Sequence, residues 1–275
     1  MKDKPEKKSR MMSQADRADR HLLYEDSVQC AESELDFVDS EFRRLRGRQG
    51  HVLREDFCGT ANTSVEWVRR RKSNFAIGVD LDSSVLDWAR DNNVNNLSKG
   101  RRGRVSLIND NVLTVETEPQ DIILAMNFSY WQFRTRAVLK EYFSKVKDSL
   151  VEDGVFFLDC FGGYDAFRML KEKTEYDHFT YVWEQKNYNP VNGEIICNIH
   201  FEFPDGSRIK NAFTYCWRLW TIAEIRELLM EAGFSATNVY WQGWDEKGEE
   251  GDGDFYPVES ADADAGWIAY LAGVK

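Results

Sequence analysis

The residues best suited to chemistry lie between His51 and Asp80. A short apolar strand leads into the turn Glu55-Asp56-Phe57-Cys58-Gly59-Thr60-Ala61, and a helix and a second strand, Phe75 to Val79, precede Asp80. Small residues in the turn let backbone approach a ligand and let the helix start close to a sheet. Asp80 follows Gly59 by about 20 residues, a distance at which an acid suits a pair of ribose hydroxyls. This pattern is typical of a nucleotide-binding βαβ unit.

The turn carries carboxylates where a phosphate-binding turn carries glycines. Gly59 is the one glycine that remains of the G-x-G-x-x-G pattern, which cradles a pyrophosphate at a helix N-terminus. Glu55 and Asp56, at the mouth of the turn, would repel a phosphate and attract a cation. The turn therefore favours a ligand with a ribose and a positive charge over a dinucleotide.

These residues resemble the first two motifs of a class I S-adenosylmethionine-dependent methyltransferase, and the resemblance extends over roughly residues 50–162. The family's usual turn is D-L-G-C-G-T-G. Here Glu55 takes the position of the acid, Gly59 that of the middle glycine and Ala61 that of the last, whereas Phe57 replaces the first glycine.

The resemblance implies S-adenosyl-L-methionine as the cofactor and assigns roles to individual residues. Glu55 would bind the amino-acid end, Asp80 the ribose, and Leu81 one face of the adenine. Asp110 and the next backbone amide would hold the adenine amine and ring nitrogen, although Asp110 could instead form an Asx-type turn after the third strand. The implied cofactor-binding residues are Tyr24, Arg54, Glu55, Gly59, Asp80, Leu81, Asp110, Asn111, Val112 and Asn127.

Two of these residues have a second interpretation. Arg54 could neutralise the cofactor carboxylate or pair with a nearby acid. Tyr24 lies in the predicted N-terminal helices, which in this family often fold over the cofactor cleft, but the same helices could simply pack against the edge of the sheet.

A cluster of polar and aromatic residues follows the fourth buried strand, Asp121 to Met126. In open α/β sheets, ligands bind at this carboxyl edge. Phe128, Tyr130 and Trp131 form either a hydrophobic plug or an active-site wall whose π faces suit a sulfonium or a substrate cation. Asn127 and Tyr130 are the predicted catalytic residues, because either side chain could orient a nucleophile.

No residue identifies itself as a general base. An amine that arrives neutral needs little help, whereas a hydroxyl needs a base. The four histidines, His21, His51, His178 and His200, are isolated in the sequence, and a structural role is expected for each. His178 and His200 could nevertheless face the substrate, since both lie in a predicted insertion.

Alternating strands and helices predict a Rossmann-like, doubly wound, seven-stranded, mostly parallel sheet, with an antiparallel three-stranded insertion after the fifth strand and helices at the N-terminus. Two turn signals, Asn192-Gly193 and Pro204-Asp205-Gly206, separate the inserted strands. The predicted divisions are a disordered tail (1–12) and a single methyltransferase domain (13–275), made of N-terminal helices (13–46), a cofactor-binding core (50–162), the β insertion (163–220), and a C-terminal helix with an edge hairpin (221–275). The acidic stretch 246–264 is expected to be a solvated loop, with a metal site as the alternative.

The insertion is rich in aromatic residues, namely Trp183, Tyr188, Trp217 and Trp220. These side chains could build a pocket over the cleft or form the core of the inserted sheet. Because cofactor contacts are expected from the ends of the first four strands, we expect residues 163–220 to set substrate choice and contribute little to cofactor binding.

Composition excludes several classes of partner. With 36 basic and 47 acidic residues among 275, the net charge of −11 disfavours nucleic acid. The five cysteines form no C-x-x-C pair, so no metal is expected and the thiols are expected to be reduced. No apolar run reaches the length of a membrane span, and we expect a cytoplasmic protein.

The sequence predicts methyl transfer from S-adenosylmethionine to a nitrogen or oxygen of a small molecule. A methyltransferase acting on protein or RNA is an alternative, which an exposed basic or apolar groove beside Asn127 would support. A catalytically silent cofactor-binding or scaffold protein is a third reading. Loss of Asp80 or Asp110 would have favoured it, and both are present.

Overall fold

The computed structural model describes residues 12–244 and 251–275, so the predicted tail, apart from Met12, lies outside the described residues. The helices are α1 (Gln14–Arg17), α2 (Arg20–Val28), α3 (Ala31–Arg46), α4 (Asn62–Arg70), α5 (Ser83–Ala89), α6 (Lys99–Arg102), α7 (Arg136–Ser149) and α8 (Ile222–Glu231). The strands are β1 (Val52–Asp56), β2 (Phe75–Asp80), β3 (Val105–Asn109), β4 (Gln120–Ala125), β5 (Leu150–Gly162), β6 (Leu170–Glu175), β7 (Thr180–Asn189), β8 (Glu194–Glu202), β9 (Arg208–Arg218), β10 (Ala236–Trp244), β11 (Gly251–Pro257) and β12 (Trp267–Val274).

Within the described residues, the main sheet has eight strands in the order β11-β10-β12-β5-β4-β1-β2-β3. The five strands from β5 to β3 are parallel, whereas β12 runs antiparallel to β5 and to β10. The predicted mostly parallel, Rossmann-like sheet is confirmed. The carboxyl ends of β1, β2, β3 and β4 meet at one edge, where ligands bind in such sheets.

The predicted strand count of seven is wrong, because the acidic stretch after β10 contains the edge strand β11. Phe255 is partly buried between the exposed Asp254 and Tyr256 in this strand, and its ring stacks on Tyr270 with centroids 3.8 Å apart. Side chains of a strand alternate between its two faces, so Phe255 packs on the sheet while its two neighbours point to the other face. Residues 245–250 of this stretch lie outside the described part of the chain.

A separate antiparallel sheet follows β5, in the order β6-β7-β8-β9. Three of its strands are those predicted for the insertion, and Gly193 and Gly206 have the positive φ that their turns require. The fourth strand, β6, was not predicted. Its charged side chains are exposed, and main-chain pairing with β7 forms it without an apolar pattern.

Two apolar layers cover the main sheet. On one face, α3 and α4 pack Leu35, Phe42 and Trp67 against β1 and β4. On the other face, α7 and α8 pack Phe143 and Leu228 against β4 and β5. Layers on both faces are what a parallel sheet requires, because all of its strands are buried.

The predicted N-terminal helical segment forms the three helices α1, α2 and α3. Leu23 of α2 packs with Phe179 and Phe201 of the second sheet. The amide of Gln14 donates to Asp205 at 2.8 Å in the turn between β8 and β9. This segment therefore lies against the second sheet, while α3 continues onto the main sheet.

Candidate active site

A cavity of about 510 Å³, called here the first cavity, lies at the carboxyl edge of the main sheet. Nine of the ten predicted cofactor-binding residues line it: Tyr24, Glu55, Gly59, Asp80, Leu81, Asp110, Asn111, Val112 and Asn127. These residues come from the ends of β1 to β4 and from α2. The topology thus brings together side chains that are far apart in sequence.

The turn after β1 is held in a left-handed conformation at three positions: Phe57 (φ 59), Gly59 (φ 50) and Ala61 (φ 57). Phe57 and Ala61 stand where the family motif has glycines, so the chain keeps the backbone path without the glycine. Each non-glycine residue in this region costs of order 1–3 kcal/mol, and such strain concentrates at functional sites. A Cβ added at Gly59 would meet no atom within 4 Å, so this backbone faces open space.

Glu55 organises the start of α4. Its Oε2 accepts the amide of Ser64 at 2.9 Å and the Ser64 hydroxyl at 2.6 Å, which supplies the cap that Ala61 cannot provide. Burial raises the pKa of the Glu55 carboxyl to about 7. The helix N-terminus that could attract a phosphate is therefore already occupied by a carboxyl group.

Asp80 closes the same turn from β2. One carboxylate oxygen accepts the Gly59 amide at 2.8 Å, and the other accepts the Asp82 amide at 2.9 Å. Burial raises the pKa of Asp80. The Asp80 side chain still lines the first cavity, and the next residue, Leu81, is 71% exposed there. An acceptor beside an exposed apolar side chain fits a ribose next to a flat base.

Asp110 and Asn111 follow β3. The Asn111 amide donates to Asp110 Oδ1 at 2.7 Å, and the Leu113 amide donates to Asn111 Oδ1 at 3.0 Å. The Asx-type turn that was the alternative for Asp110 is thus formed by Asn111, and the Asp110 side chain lines the first cavity.

Arg54 is fully buried and does not line the first cavity. Its guanidinium binds Asp56 through Nε at 2.8 Å and through a second nitrogen at 3.1 Å, and the Tyr142 hydroxyl donates to the same carboxylate at 2.8 Å. The role predicted for Arg54 on a cofactor carboxylate is corrected. The alternative, pairing with a nearby acid, is what the structure shows.

Tyr130 is also fully buried, and its hydroxyl donates to the Asp159 carbonyl at 2.7 Å. It lines neither the first cavity nor the second cavity described below, so its prediction as a catalytic residue is corrected. Of the neighbouring aromatics, Trp131 is buried in the core and Phe128 forms a wall. Trp131 therefore forms the hydrophobic plug and Phe128 forms the wall, so each of the two alternatives is found in a different residue.

Asn127 is held by an acid that sequence reasoning missed. The carboxylate of Asp159, on β5, accepts the amides of Asn127 at 2.7 Å and Phe128 at 2.8 Å. Both of these residues have positive φ, 58° and 57°. Burial raises the pKa of Asp159 to about 8. The available sequence signal was an acid within the otherwise apolar run of β5.

A second cavity, of about 400 Å³, adjoins the first. Four residues line both cavities: Tyr24, Asn127, Tyr215 and Trp217. The walls of the second cavity come from the main sheet, through Phe161 and Trp267, and from β7 and β9 of the second sheet. The two cavities therefore meet beside Asn127.

Tyr24 joins the N-terminal helices to the second sheet at this junction. Its side chain forms a hydrogen bond with Tyr215 of β9, and its ring lies 4.9 Å from Phe213 between centroids. Burial raises the pKa of Tyr24 to about 12. The structure therefore places Tyr24 over the cleft, where it was expected.

Residues 163–220 were expected to contribute little to cofactor binding, but part of this segment lines the first cavity. Residues 213–217 of β9 all line it, because β9 crosses the mouth formed by the main sheet. Two of these residues, Tyr215 and Trp217, also line the second cavity, so one strand contributes to both cavities. The segment that was expected to face only the acceptor also covers the first cavity.

The histidines in the insertion lie away from both cavities. His200 pairs with Glu184 at 3.1 Å and accepts the Asn211 amide at 2.9 Å, and His178 is exposed. His21 lines the first cavity, with its ring 5.2 Å from that of Trp88.

Residues 12–244 and 251–275 contain no group of three or more His, Cys, Asp or Glu side chains arranged to hold a metal. Over the same residues, no helix is both long and apolar enough to cross a membrane.

Comparison with known proteins shows which solved structures share this architecture. No protein-family model matches the chain, and no curated protein matches it in sequence. Among solved structures it is similar to an S-adenosylmethionine-dependent methyltransferase from Clostridium acetobutylicum, with a TM-score of 0.66, 18% identity, and coverage of 92% of this chain and 96% of that one.

Two further solved structures are similar over nearly their whole lengths. An amino pentose methyltransferase from Micromonospora echinaspora gives a TM-score of 0.63 at 14% identity, covering 96% of this chain and 99% of that one. A sugar N-methyltransferase from Streptoalloteichus sp. gives 0.62 at 14% identity, covering 94% and 93%. At such identities a likeness shows the fold, and the chain has the fold of the class I S-adenosylmethionine-dependent methyltransferases.

Proposed function

We propose that the protein transfers a methyl group from S-adenosylmethionine to a nitrogen or oxygen of a small molecule. The observation that carries this proposal is the meeting of two different cavities beside Asn127. The first cavity is lined by acids at strand ends, as a ribose and an amino group require. The second is mainly aromatic, as a separate organic acceptor requires.

The residues of the first cavity fit the cofactor. Asp80 would hold the ribose hydroxyls, Leu81 would cover one face of the adenine, and Asp110 would accept from the adenine amine. Gly59 leaves space for close approach of backbone, and Glu55 lies at the end expected to take the ammonium group. When bound, S-adenosylmethionine supplies a methyl group on a positively charged sulfur.

The chain itself positions the two reactants at the junction of the cavities. Asp159 fixes the Asn127–Phe128 turn by two backbone hydrogen bonds, so Asn127 is held between the cavities. Tyr24 and Tyr215 line both cavities at this junction. Holding two reactants in line accounts for a large part of such a barrier reduction.

The shape of the second cavity supports a small acceptor over a macromolecule. Its walls belong to both sheets, and its volume of about 400 Å³ lies within the range of small-ligand pockets. The similar solved structures include methyltransferases named for an amino pentose, a sugar and a glycopeptide. The basic groove that a nucleic-acid substrate would favour has no counterpart among the lining residues of the second cavity, none of which is Lys, Arg or His.

Transfer of a labelled methyl group tests the proposal. The full chain is incubated with cell extract and S-adenosylmethionine labelled in the methyl group, and small molecules are separated from protein and nucleic acid before detection. We expect the label in the small-molecule fraction, and its loss with Asp80→Ala. Label found only in protein or RNA, or no transfer in extracts of any source, would contradict the proposal.

A further inference from the structure

The second cavity has a continuous aromatic wall. Tyr181 and Trp183 are two residues apart on β7, and Tyr215 and Trp217 are two residues apart on β9, so these side chains lie on one face of the second sheet. The ring centroids of Tyr215 and Trp217 are 4.3 Å apart, and those of Trp183 and Trp217 are 6.3 Å apart. Phe161 belongs to the opposite wall. Such π faces attract cations.

The charged side chains that line this cavity are both acidic. Asp165 pairs with Arg168 at 2.7 Å, whereas Glu172 forms no ion pair with any residue in the described part of the chain. Glu172 lies on β6 directly opposite Trp183 in the strand register. An unpaired carboxylate beside an aromatic wall has the charge that a bound ammonium group requires.

The alternation of β6 keeps cations away from this wall. Lys171 and Lys173 lie on the face opposite to Glu172, where they pair with Glu184 at 2.9 Å and with Glu202 at 2.6 Å. The cavity side of the strand therefore carries the acid, and both lysines are engaged on the other side.

Among the described residues, the lining of the second cavity offers a hydroxyl nucleophile no base other than its two carboxylates. It includes no histidine, lysine or cysteine among the described residues. Its phenols are poor bases, because burial raises the pKa of Tyr24 to about 12 and also raises the pKa of Tyr215. A hydroxyl acceptor would need a group to take its proton, whereas a neutral amine attacks with its own lone pair.

We propose that the acceptor is a small aliphatic amine, recognised in its ammonium form by the aromatic wall and Glu172. This inference rests on the proposed function and names its nucleophile. The ammonium, which lies beside the exposed Glu172, gives its proton to solvent water there, and the nitrogen lone pair then forms an N–C bond to the methyl carbon. As that bond forms, the S–C bond breaks and leaves its electron pair on sulfur. The positive charge moves from sulfur to nitrogen, so electrons and charge balance.

A matched pair of probes tests this inference: cyclohexylamine and cyclohexanol, which share a ring and differ in the functional group. Binding to the full chain saturated with S-adenosylhomocysteine, and to the chain alone, is measured by ligand-observed NMR. We expect the amine to bind at least about tenfold more tightly, about 1.4 kcal/mol. With S-adenosylmethionine present, we expect methylated cyclohexylamine and no methyl ether.

Two variants of one strand locate the effect. Glu172→Gln should remove most of the preference for the amine. Glu175→Gln is the matched control, because Glu175 is an exposed acid on the opposite face of β6 and lines neither cavity. Equal loss in both variants would overturn the assignment of Glu172.

The results separate this inference from the function on which it rests. Equal or tighter binding of cyclohexanol, or no binding of the amine, overturns the inference in a protein that binds S-adenosylhomocysteine. Failure to bind either S-adenosylhomocysteine or S-adenosylmethionine overturns the proposed function, whatever the amine does.

Discussion

The carboxylate of Asp159 accepts the backbone amide of Asn127 at 2.7 Å, and this contact fixes the residue that lies between the two cavities. The second carboxylate oxygen accepts the Phe128 amide at 2.8 Å. Two consecutive left-handed residues are thus held by one buried acid. An acid that binds backbone in this way positions Asn127 and itself contacts neither cavity.

Asp159→Asn should lower turnover more than cofactor affinity. The amide side chain keeps one acceptor but turns a donor toward the other backbone amide, which costs about 1–3 kcal/mol of stability. Denaturant unfolding and steady-state kinetics at saturating cofactor measure the two effects. Glu152→Gln, on the same strand with a side chain 99% exposed, should change neither. Unchanged turnover in a folded Asp159→Asn protein would show that the turn needs no such support.

Arg54→Met should destabilise the protein by about 3–5 kcal/mol, because the Asp56 carboxylate would remain buried without its partner. The double variant Arg54→Met/Asp56→Asn should lose less than the sum of the two single losses. Chemical denaturation gives these values, and calorimetry on the folded fraction gives the cofactor affinity. A variant of normal stability that fails to bind cofactor would restore Arg54 as a cofactor ligand.

Glu34 should make stability depend on pH. It is a buried acid of α3 whose Oε2 has no hydrogen-bond partner among the described residues, and burial raises its pKa to about 7. The folded state therefore keeps a proton that the unfolded state has released. Its stabilising contribution is present below about pH 4.5 and is lost as pH rises to about 7, by at most about 1.4 kcal/mol per pH unit.

Unfolding of Glu34→Gln across this range should show a smaller fall in stability with rising pH than the unmodified protein. Glu32→Gln, at an exposed position of the same helix, should behave like the unmodified protein. Identical pH profiles for Glu34→Gln and the unmodified protein would mean that burial does not raise the pKa of Glu34 above its value in the unfolded chain.

Substitutions at Trp183 and Phe213 should show that the two cavities have different functions. Trp183 lines the second cavity alone, and Phe213 lines the first alone. Trp183→Ala should lower turnover and leave cofactor affinity within about threefold, 0.7 kcal/mol. Phe213→Ala should weaken cofactor binding by more than this threefold limit. Circular dichroism must show both variants folded, and the reverse pattern of effects would contradict the assignment of the cavities.

Much of this fold could be predicted because local signals agreed with the tertiary structure. Thr221 and Glu224 have the spacing of a capping box in the sequence, and the structure forms it, with the Glu224 amide 3.2 Å from the Thr221 hydroxyl. The hairpin turns were set by glycines with positive φ. The strand β6 was missed because edge pairing through the main chain leaves no apolar pattern.

The sequence could place a residue at the first cavity where its position depends on the end of a strand, and could not where its position depends on burial. Asp80 and Asp110 follow strands whose ends meet, so topology alone places them together. Sequence could not show that Arg54 and Tyr130 face the core, since their neighbours at the same strand ends face the cavity. Asp159 was missed because its partners are backbone amides from another strand, which sequence does not reveal.

Binding calorimetry tests the central claim most directly, with S-adenosylmethionine, S-adenosylhomocysteine, NAD and ATP titrated into the full chain. We predict binding of the first two and no tight binding of NAD or ATP, because Glu55 occupies the helix N-terminus where a phosphate would lie. Asp80→Ala should weaken the binding of S-adenosylhomocysteine by about 1.5–3 kcal/mol. Asp87→Ala, at an exposed position of α5, should leave this binding unchanged. Tight binding of NAD with no response to either S-adenosyl compound would contradict the account.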